Sequence, residues 1–213
     1  MNSLFDFISD IRLMQEANAF EGKRILLIGA GALGCFLGPS AIESLAPSLI
    51  DVVDYDTVEE HNLNRQVAFY DAIGMLKAER LAKTMTEMGK ISGAATKIRA
   101  ITGKFTPEFQ SDTQYDLILD AVDSFYTKAM LHNYAKERGI PIISGGTDYR
   151  AATVLAYLPG ITSCFDCSIN LSELGIRTEL IRRASCLQAP NPSVIMTNQI
   201  AAAMMISQAY RVL

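Results

Sequence analysis

The sequence predicts an α/β protein built on a doubly wound, mostly parallel sheet that antiparallel strands extend in its C-terminal part. Three observations predict it. The apolar run Ile25-Leu26-Leu27-Ile28 meets three glycines spaced G-x-G-x-x-G, at Gly29, Gly31 and Gly34, with helix-forming residues behind them. Strand-like and helix-like segments then alternate as far as Gly146. Past Gly146 the run Ala152–Tyr157 is strand-like with no helix before it, so antiparallel strands are expected to join the sheet there.

Each element has its own signal. Leu4, Phe5, Phe7, Ile8 and Ile11 have the apolar spacing of a short amphipathic helix, with Arg12 at its end. The first strand and glycine turn follow, then a helix from Ala32 to Leu45 closed by Pro47. Leu49–Val53 is the second strand, and it ends in Asp54. Between Asp54 and Met75 there is no periodicity but a dense polar cluster, which in a compact domain marks a functional or disordered stretch. Residues 76–90 read as a helix with Lys77 in its first turn, and Ala94–Ala100 as a third strand. Thr106-Pro107-Glu108 carries the cap and proline signature of a short helix. Leu117–Asp120 is the fourth strand, and after Ala121-Val122-Asp123-Ser124 a helix runs to Arg138. Ile140–Ile143 is the fifth strand, ended by Ser144-Gly145-Gly146. From Cys167 to Pro190 the polar chain reads as a crossover loop, and Asn191 with Pro192 as the start of a buried final helix. The expected organisation is one domain: an N-terminal helical arm (1–20), a Rossmann-like nucleotide-binding core (21–146), and antiparallel strands, crossover loop and C-terminal helix (147–213).

Bulk properties exclude some classes. With 49% hydrophobic and 20% charged residues, the 213-residue chain has the composition of a globular protein rather than a disordered one. A net charge of -4 argues against a nucleic-acid footprint. Four cysteines in a chain of this size do not make a disulfide scaffold. No basic segment precedes an apolar one at the N-terminus, and the late apolar run Ile200–Ile206 falls short of the ~20 residues a bilayer needs. A cytoplasmic protein that does not enter the membrane is expected.

The chemistry-bearing residues cluster around strand ends. Gly29 permits the tight turn, Gly31 lets a phosphate approach the backbone, and Gly34 lets the helix pack closely on the sheet. Asp54, twenty residues beyond Gly34, stands where a carboxylate accepts hydrogen bonds from a ribose diol, a position that suits NAD and ATP alike. Arg65 and Lys77 would suit a triphosphate, whose charge must be held. Asp123, beyond the fourth strand, is a carboxylate of the kind that holds Mg²⁺ together with phosphate oxygens. His132 lies within a predicted helix and reads as an ordinary core or surface residue; His61 adjoins the polar cluster.

These motifs resemble the ThiF/MoeB/HesA family, bacterial relatives of ubiquitin-activating enzymes. The resemblance is carried by Gly29–Gly34, Val53-Asp54-Tyr55-Asp56-Thr57-Val58, Asn62-Leu63-Asn64-Arg65-Gln66, Lys77, Ala121-Val122-Asp123 and Cys164-Phe165-Asp166-Cys167, in order over residues 20–190. It implies adenylation of the C-terminal glycine of a ubiquitin-like or sulfur-carrier protein by Mg-ATP, with release of pyrophosphate. It also implies a nucleotide site of Gly29, Gly31, Gly34, Asp54, Asp56, Asn62, Arg65, Lys77 and Asp123. Within that site Asp54 would bind ribose, Asn62, Arg65 and Lys77 phosphates, and Asp123 Mg²⁺. Arg65, Lys77 and Asp123 are then the catalytic set, and Cys186 is either a thiol acceptor or an inert cysteine. A homodimer is implied, with an arginine supplied across the interface, for which Arg12 is nearest in position. Cys164 and Cys167 supply half a tetrahedral zinc set, so Zn²⁺ would need Cys186, a histidine, a water or another chain. Three alternatives stay open: adenylation of a peptide or modified tRNA nucleoside, a nucleotide-binding scaffold without turnover, and an NAD-linked oxidoreductase.

Overall fold

A computed structural model describes residues 19–184 and 193–213. The first strand, β1 (Arg24–Ile28), lies inside a six-stranded sheet of order β3-β2-β1-β4-β5-β6. Its neighbours are β2 (Leu49–Asp54) and β4 (Leu117–Asp120), with Ile28 level with both Val53 and Asp120. β3 (Lys97–Thr102) extends the sheet beyond β2, and β5 (Ile142–Thr147) beyond β4, all in parallel. β6 (Ala152–Tyr157) pairs antiparallel with β5. The strand order reverses direction at β1, and the crevice outside the carboxyl ends of β1 and β4 is the place where such sheets take ligands.

Helices cover both faces. Alternate side chains of β1 divide between two cores: Ile25 and Leu27 face α1 (Gly34–Leu45), α2 (Lys77–Ser92) and α6 (Ile195–Val212), while Leu26 and Ile28 face α3 (Phe125–Arg138). All four are at most 2% exposed, which explains why β1 is uniformly apolar rather than alternating. Each such burial contributes roughly 1.5–3 kcal/mol. α4 (Phe165–Ile169) and α5 (Leu171–Ala184) lie on the α3 side, where Gly175 lets α5 approach the Phe125 carbonyl. No helix among the described residues is long and apolar enough to cross a membrane.

Several expected boundaries shift. α1 starts at Gly34 rather than Ala32, and it contains Pro39. The third strand begins at Lys97, because the chain first closes α2 through left-handed Gly93 and an Ala94 N–H bond to the Gly89 carbonyl. Thr106–Phe109 forms a single hydrogen-bonded turn and no helix; it brings Phe105 and Phe109 together against Tyr134. β5 does not stop at Ser144 but runs through both glycines, since β6 supplies a ladder partner for each residue to Thr147. The expected crossover loop is helical in α4 and α5 as far as Ala184. The final helix starts at Ile195, with Val194 as its cap. Asn191, Pro192, Cys186, Arg12 and the expected helix over Leu4–Ile11 lie outside the described residues.

Candidate nucleotide site

The glycine turn is held by close contacts that only glycine allows. Gly29 has φ +96°, and a Cβ there would stand 2.8 Å from the Ala121 carbonyl and 3.1 Å from the Val122 nitrogen. The turn after β1 is therefore pressed against the turn after β4. A Cβ on Gly34 would collide with the Gly29 carbonyl oxygen, whereas one on Gly31 would meet nothing within 4 Å. Gly31 thus offers open backbone, as phosphate approach requires. Asp54, at the end of β2, closes the same turn: its Oδ2 accepts from Ala30 N at 2.7 Å and its Oδ1 from Asp56 N at 2.8 Å. Burial raises the Asp54 pKa above the ordinary carboxylate value; those two N–H groups and the Lys77 charge pull against it. Each oxygen keeps one lone pair for a ribose hydroxyl.

The polar stretch after Asp54 is ordered. A bridge between Thr57 and Leu76 ties its ends, reinforced by Val58 N–H to the Met75 carbonyl and Lys77 N–H to the Asp56 carbonyl. Inside are two 3₁₀ turns, Glu60–Asn62 and Val67–Phe69, anchored by fully buried Phe69. Asn62 is buried and its Oδ1 accepts from Glu59 N at 3.0 Å, so its oxygen builds the loop and its Nδ2 group remains for a ligand. Arg65 Nη1 donates to Asn64 Oδ1 at 2.9 Å and to the His61 carbonyl at 3.4 Å. Among the described residues no carboxylate pairs with Arg65. His61 leans instead on exposed Glu59, at 3.3 Å.

Lys77 opens α2 and is only 6% exposed. Its Nζ donates to Asp56 Oδ2 at 3.0 Å, which leaves two of its three N–H donors unassigned. Its charge acts on Asp54 and on Cys35, the residue after Gly34, so the ammonium stands beside the glycine turn. Asp56 accordingly contacts Lys77 rather than standing free for nucleotide. Asp123 is exposed just beyond the Ala121–Val122 backbone that touches Gly29, and no described side chain pairs with it. A hard, anionic, unpaired oxygen donor at this mouth fits Mg²⁺.

Sequence reasoning missed a buried group behind Asp123. Asp120 (0% exposed), Lys128 (7%) and Ser144 (5%) join the ends of β4 and β5 to α3. Lys128 Nζ donates to Asp120 Oδ2 (3.1 Å), Ser144 Oγ (3.1 Å) and the Gly145 carbonyl (2.7 Å). The available signal was an acidic residue ending an otherwise apolar strand with a lysine eight residues on.

The remaining candidates lie apart. Cys164 and Cys167 flank the start of α4 with their sulfurs 2.9 Å apart, and neither pairs with a further ligand: no group of three metal-binding side chains exists among the described residues. The hydrogen bond between the two side chains lowers the Cys164 pKa, and the same contact raises that of Cys167. His132 is 1% exposed, stacked on Phe165 at 4.4 Å, and its Nε2 accepts from Phe165 N at 3.2 Å; it is a core residue.

Comparison with known proteins shows the family. The ThiF family profile matches residues 8–213. The NEDD8-activating enzyme E1 catalytic subunit of Saccharomyces cerevisiae is 33% identical over 156 residues, covering 69% of this chain and 51% of that protein. The adenylyltransferase and sulfurtransferase MOCS3 of Dictyostelium discoideum is 31% identical over 148 residues, covering 67% of this chain and 33% of that one. This chain thus spans about half or less of the relatives it matches. Among solved structures, E. coli MccB with ATP superposes with a TM-score of 0.76 at 19% identity, over 99% of this chain and 64% of that one, a likeness of fold. The glycine turn, Asp54 at the end of the second strand, the Asn62–Arg65 loop and Asp123 all lie within the matched residues, and the chain belongs to the ThiF family.

Proposed function

We propose that this chain adenylates the C-terminal glycine carboxylate of a small ubiquitin-like or sulfur-carrier protein, consuming ATP and releasing pyrophosphate. The carrying observation is Lys77: an almost buried ammonium beside the glycine turn, with two donors unassigned, and Arg65 in the preceding loop has no carboxylate partner among the described residues. A dinucleotide site needs no such concentration of cationic donors, whereas a triphosphate that loses pyrophosphate does. The names of the relatives, activating enzymes and adenylyltransferases, support the same reading.

The chemistry is compatible with the residues present. A C-terminal carboxylate, with a pKa of about 3.3–3.7, is already ionised at neutral pH and needs no general base. One of its oxygens attacks the α-phosphorus, the acyl–phosphate bond forms, and the bond to the α,β-bridging oxygen breaks. Pyrophosphate leaves with that electron pair, and no proton moves. Gly31 and the neighbouring backbone admit the phosphates, Asp54 orients the ribose, and Arg65 and Lys77 stabilise the charge that develops on phosphate oxygens. Mg²⁺, when bound, would be held by Asp123 and would neutralise part of the phosphate charge.

The test is exchange of labelled pyrophosphate into ATP with a carrier ending in Gly-Gly. Arg65→Ala and Asp123→Ala should each lower exchange about 100-fold or more. Wild-type exchange in both variants would refute the site. Titration with NADH in place of ATP should show no binding at Gly31; a tight NADH complex would favour the oxidoreductase alternative. The proposed unit is a homodimer, which sedimentation at micromolar concentration checks; a monomer there contradicts it.

A further inference from the structure

We propose that Lys128 is a positioning residue: through Asp120 and Ser144 it fixes the Ala121–Asp123 turn and so sets the affinity of the nucleotide site for its divalent cation. The proposal rests on the adenylation reading, in which Asp123 is the metal-binding carboxylate.

Lys128 cannot itself touch a ligand. An ammonium has three N–H donors, and all three are spent on Asp120 Oδ2, Ser144 Oγ and the Gly145 carbonyl, in a setting 7% exposed. Its effect must pass through its partners. Asp120 divides its oxygens: Oδ2 receives Lys128 and the Ser144 hydroxyl, the latter at 2.6 Å, while Oδ1 accepts from Val122 N at 3.0 Å. That last bond lies one residue before Asp123. The Ala121 N–H is bonded to the Ile28 carbonyl of β1 at 2.8 Å, so the turn is pinned at two successive backbone positions.

Beyond Asp123 the backbone is pinned as well. Ser124 caps α3, its Oγ accepting from Thr127 N at 3.3 Å and its carbonyl from Lys128 N at 2.9 Å. Lys128 therefore holds both sides of Asp123, with its ammonium upstream and its own amide downstream. At Gly145 the network also abuts α6 and the residue before α1, because a Cβ there would collide with Met205 and Leu33. A buried ion pair is an inefficient source of net stability, since desolvation offsets most of its attraction. Its contribution here is directional: three bonds to one ammonium leave the Asp120–Val122 turn a single arrangement. Groups that orient a metal-binding side chain without touching the metal typically alter affinity by about 10–100-fold.

The test measures metal rather than turnover. Mn²⁺ serves as the probe in place of Mg²⁺, and its binding to the full chain in the presence of ATP is followed by electron paramagnetic resonance. ATP affinity is measured separately by calorimetry in EDTA. Lys128→Met should weaken ATP-dependent Mn²⁺ binding about tenfold or more, with ATP affinity in EDTA changed less than twofold, and Lys128→Arg should restore most of the loss. Equal losses with and without metal, or a folded Lys128→Met with wild-type Mn²⁺ affinity, would overturn the proposal. If Lys128→Met does not fold, Ser144→Ala decides. It removes one acceptor from the ammonium and keeps the ion pair, so it should weaken Mn²⁺ binding severalfold, and wild-type affinity there overturns the proposal too. Asp123→Ala separates the two claims. If it leaves Mn²⁺ binding intact, the adenylation reading of Asp123 fails and this proposal with it. If it abolishes binding while Lys128→Met does not, only the positioning role is lost.

Discussion

Cys35 and the Cys164–Cys167 pair carry the same functional group in opposite surroundings. Burial pushes the Cys35 thiol up to about 12, and its sulfur is enclosed beside the Ala30 carbonyl. Cys164 is half-buried and Cys167 exposed, and the hydrogen bond between their side chains lowers the Cys164 pKa. Thiolate, not thiol, reacts, so iodoacetamide at pH 8 should label Cys164 and Cys167 well before Cys35, read by peptide mass mapping. Early labelling of Cys35 in folded protein would contradict that burial. His132 gives a pH signature. Its Nε2 must be unprotonated to accept from Phe165 N, and burial lowers its pKa below 6.5. As pH falls through 6.5 the unfolded chain gains a proton that the native chain refuses, so stability falls from there down to the native pKa, by at most about 1.4 kcal/mol per pH unit. His132→Gln, which cannot titrate, should flatten the urea midpoint between pH 6.5 and 5; an unchanged slope would remove His132 from the account. None of these contrasts is visible in residue type alone, because each depends on what surrounds the side chain.

At the scale of elements, the glycine turn separates folding from binding. Gly34→Ala drives a Cβ into the Gly29 carbonyl and should cost about 1–3 kcal/mol in urea unfolding. Gly31→Ala has open space, so it should fold within about 0.5 kcal/mol of wild type yet bind ATP more weakly, because its methyl group occupies the phosphate approach. Loss of stability in Gly31→Ala with full ATP affinity would reverse that assignment. This turn was legible from its spacing alone, as were β1, β2, β4 and α2, whose apolar pattern and end signals agree. β5 runs past its local signal, because Ser144-Gly145-Gly146 has the composition of a turn while its strand geometry comes from pairing with β6. The polar content of α5 suggests a loop, although its inward residues Leu171, Leu174, Gly175 and Thr178 do follow helical spacing. The ordering of the Asp54–Met75 stretch was hidden for a related reason. It depends on main-chain bonds between its two ends and on buried Phe69, not on periodicity.

Across the whole molecule, the site is a product of strand order. Gly29, Asp54 and Asp123 are far apart in the chain, and they converge because β1 sits between β2 and β4 and all three strands end at one edge. That much could be argued from position at strand ends. The Lys128–Asp120–Ser144 group could not, since its role follows from burial and from a count of donors. Arg65 comes from the long loop and Lys77 from the start of α2, and main-chain bonds tie the two ends of that loop together. The central claim is that this crevice joins AMP to a carrier's terminal carboxylate. Intact-protein mass spectrometry of a Gly-Gly-ending carrier incubated with the chain and Mg-ATP tests it most directly. The carrier should become heavier by one adenylyl group, located on its last glycine and absent with Asp123→Ala. An unmodified carrier alongside ADP and phosphate, or an adenylyl group elsewhere on the carrier, would contradict it.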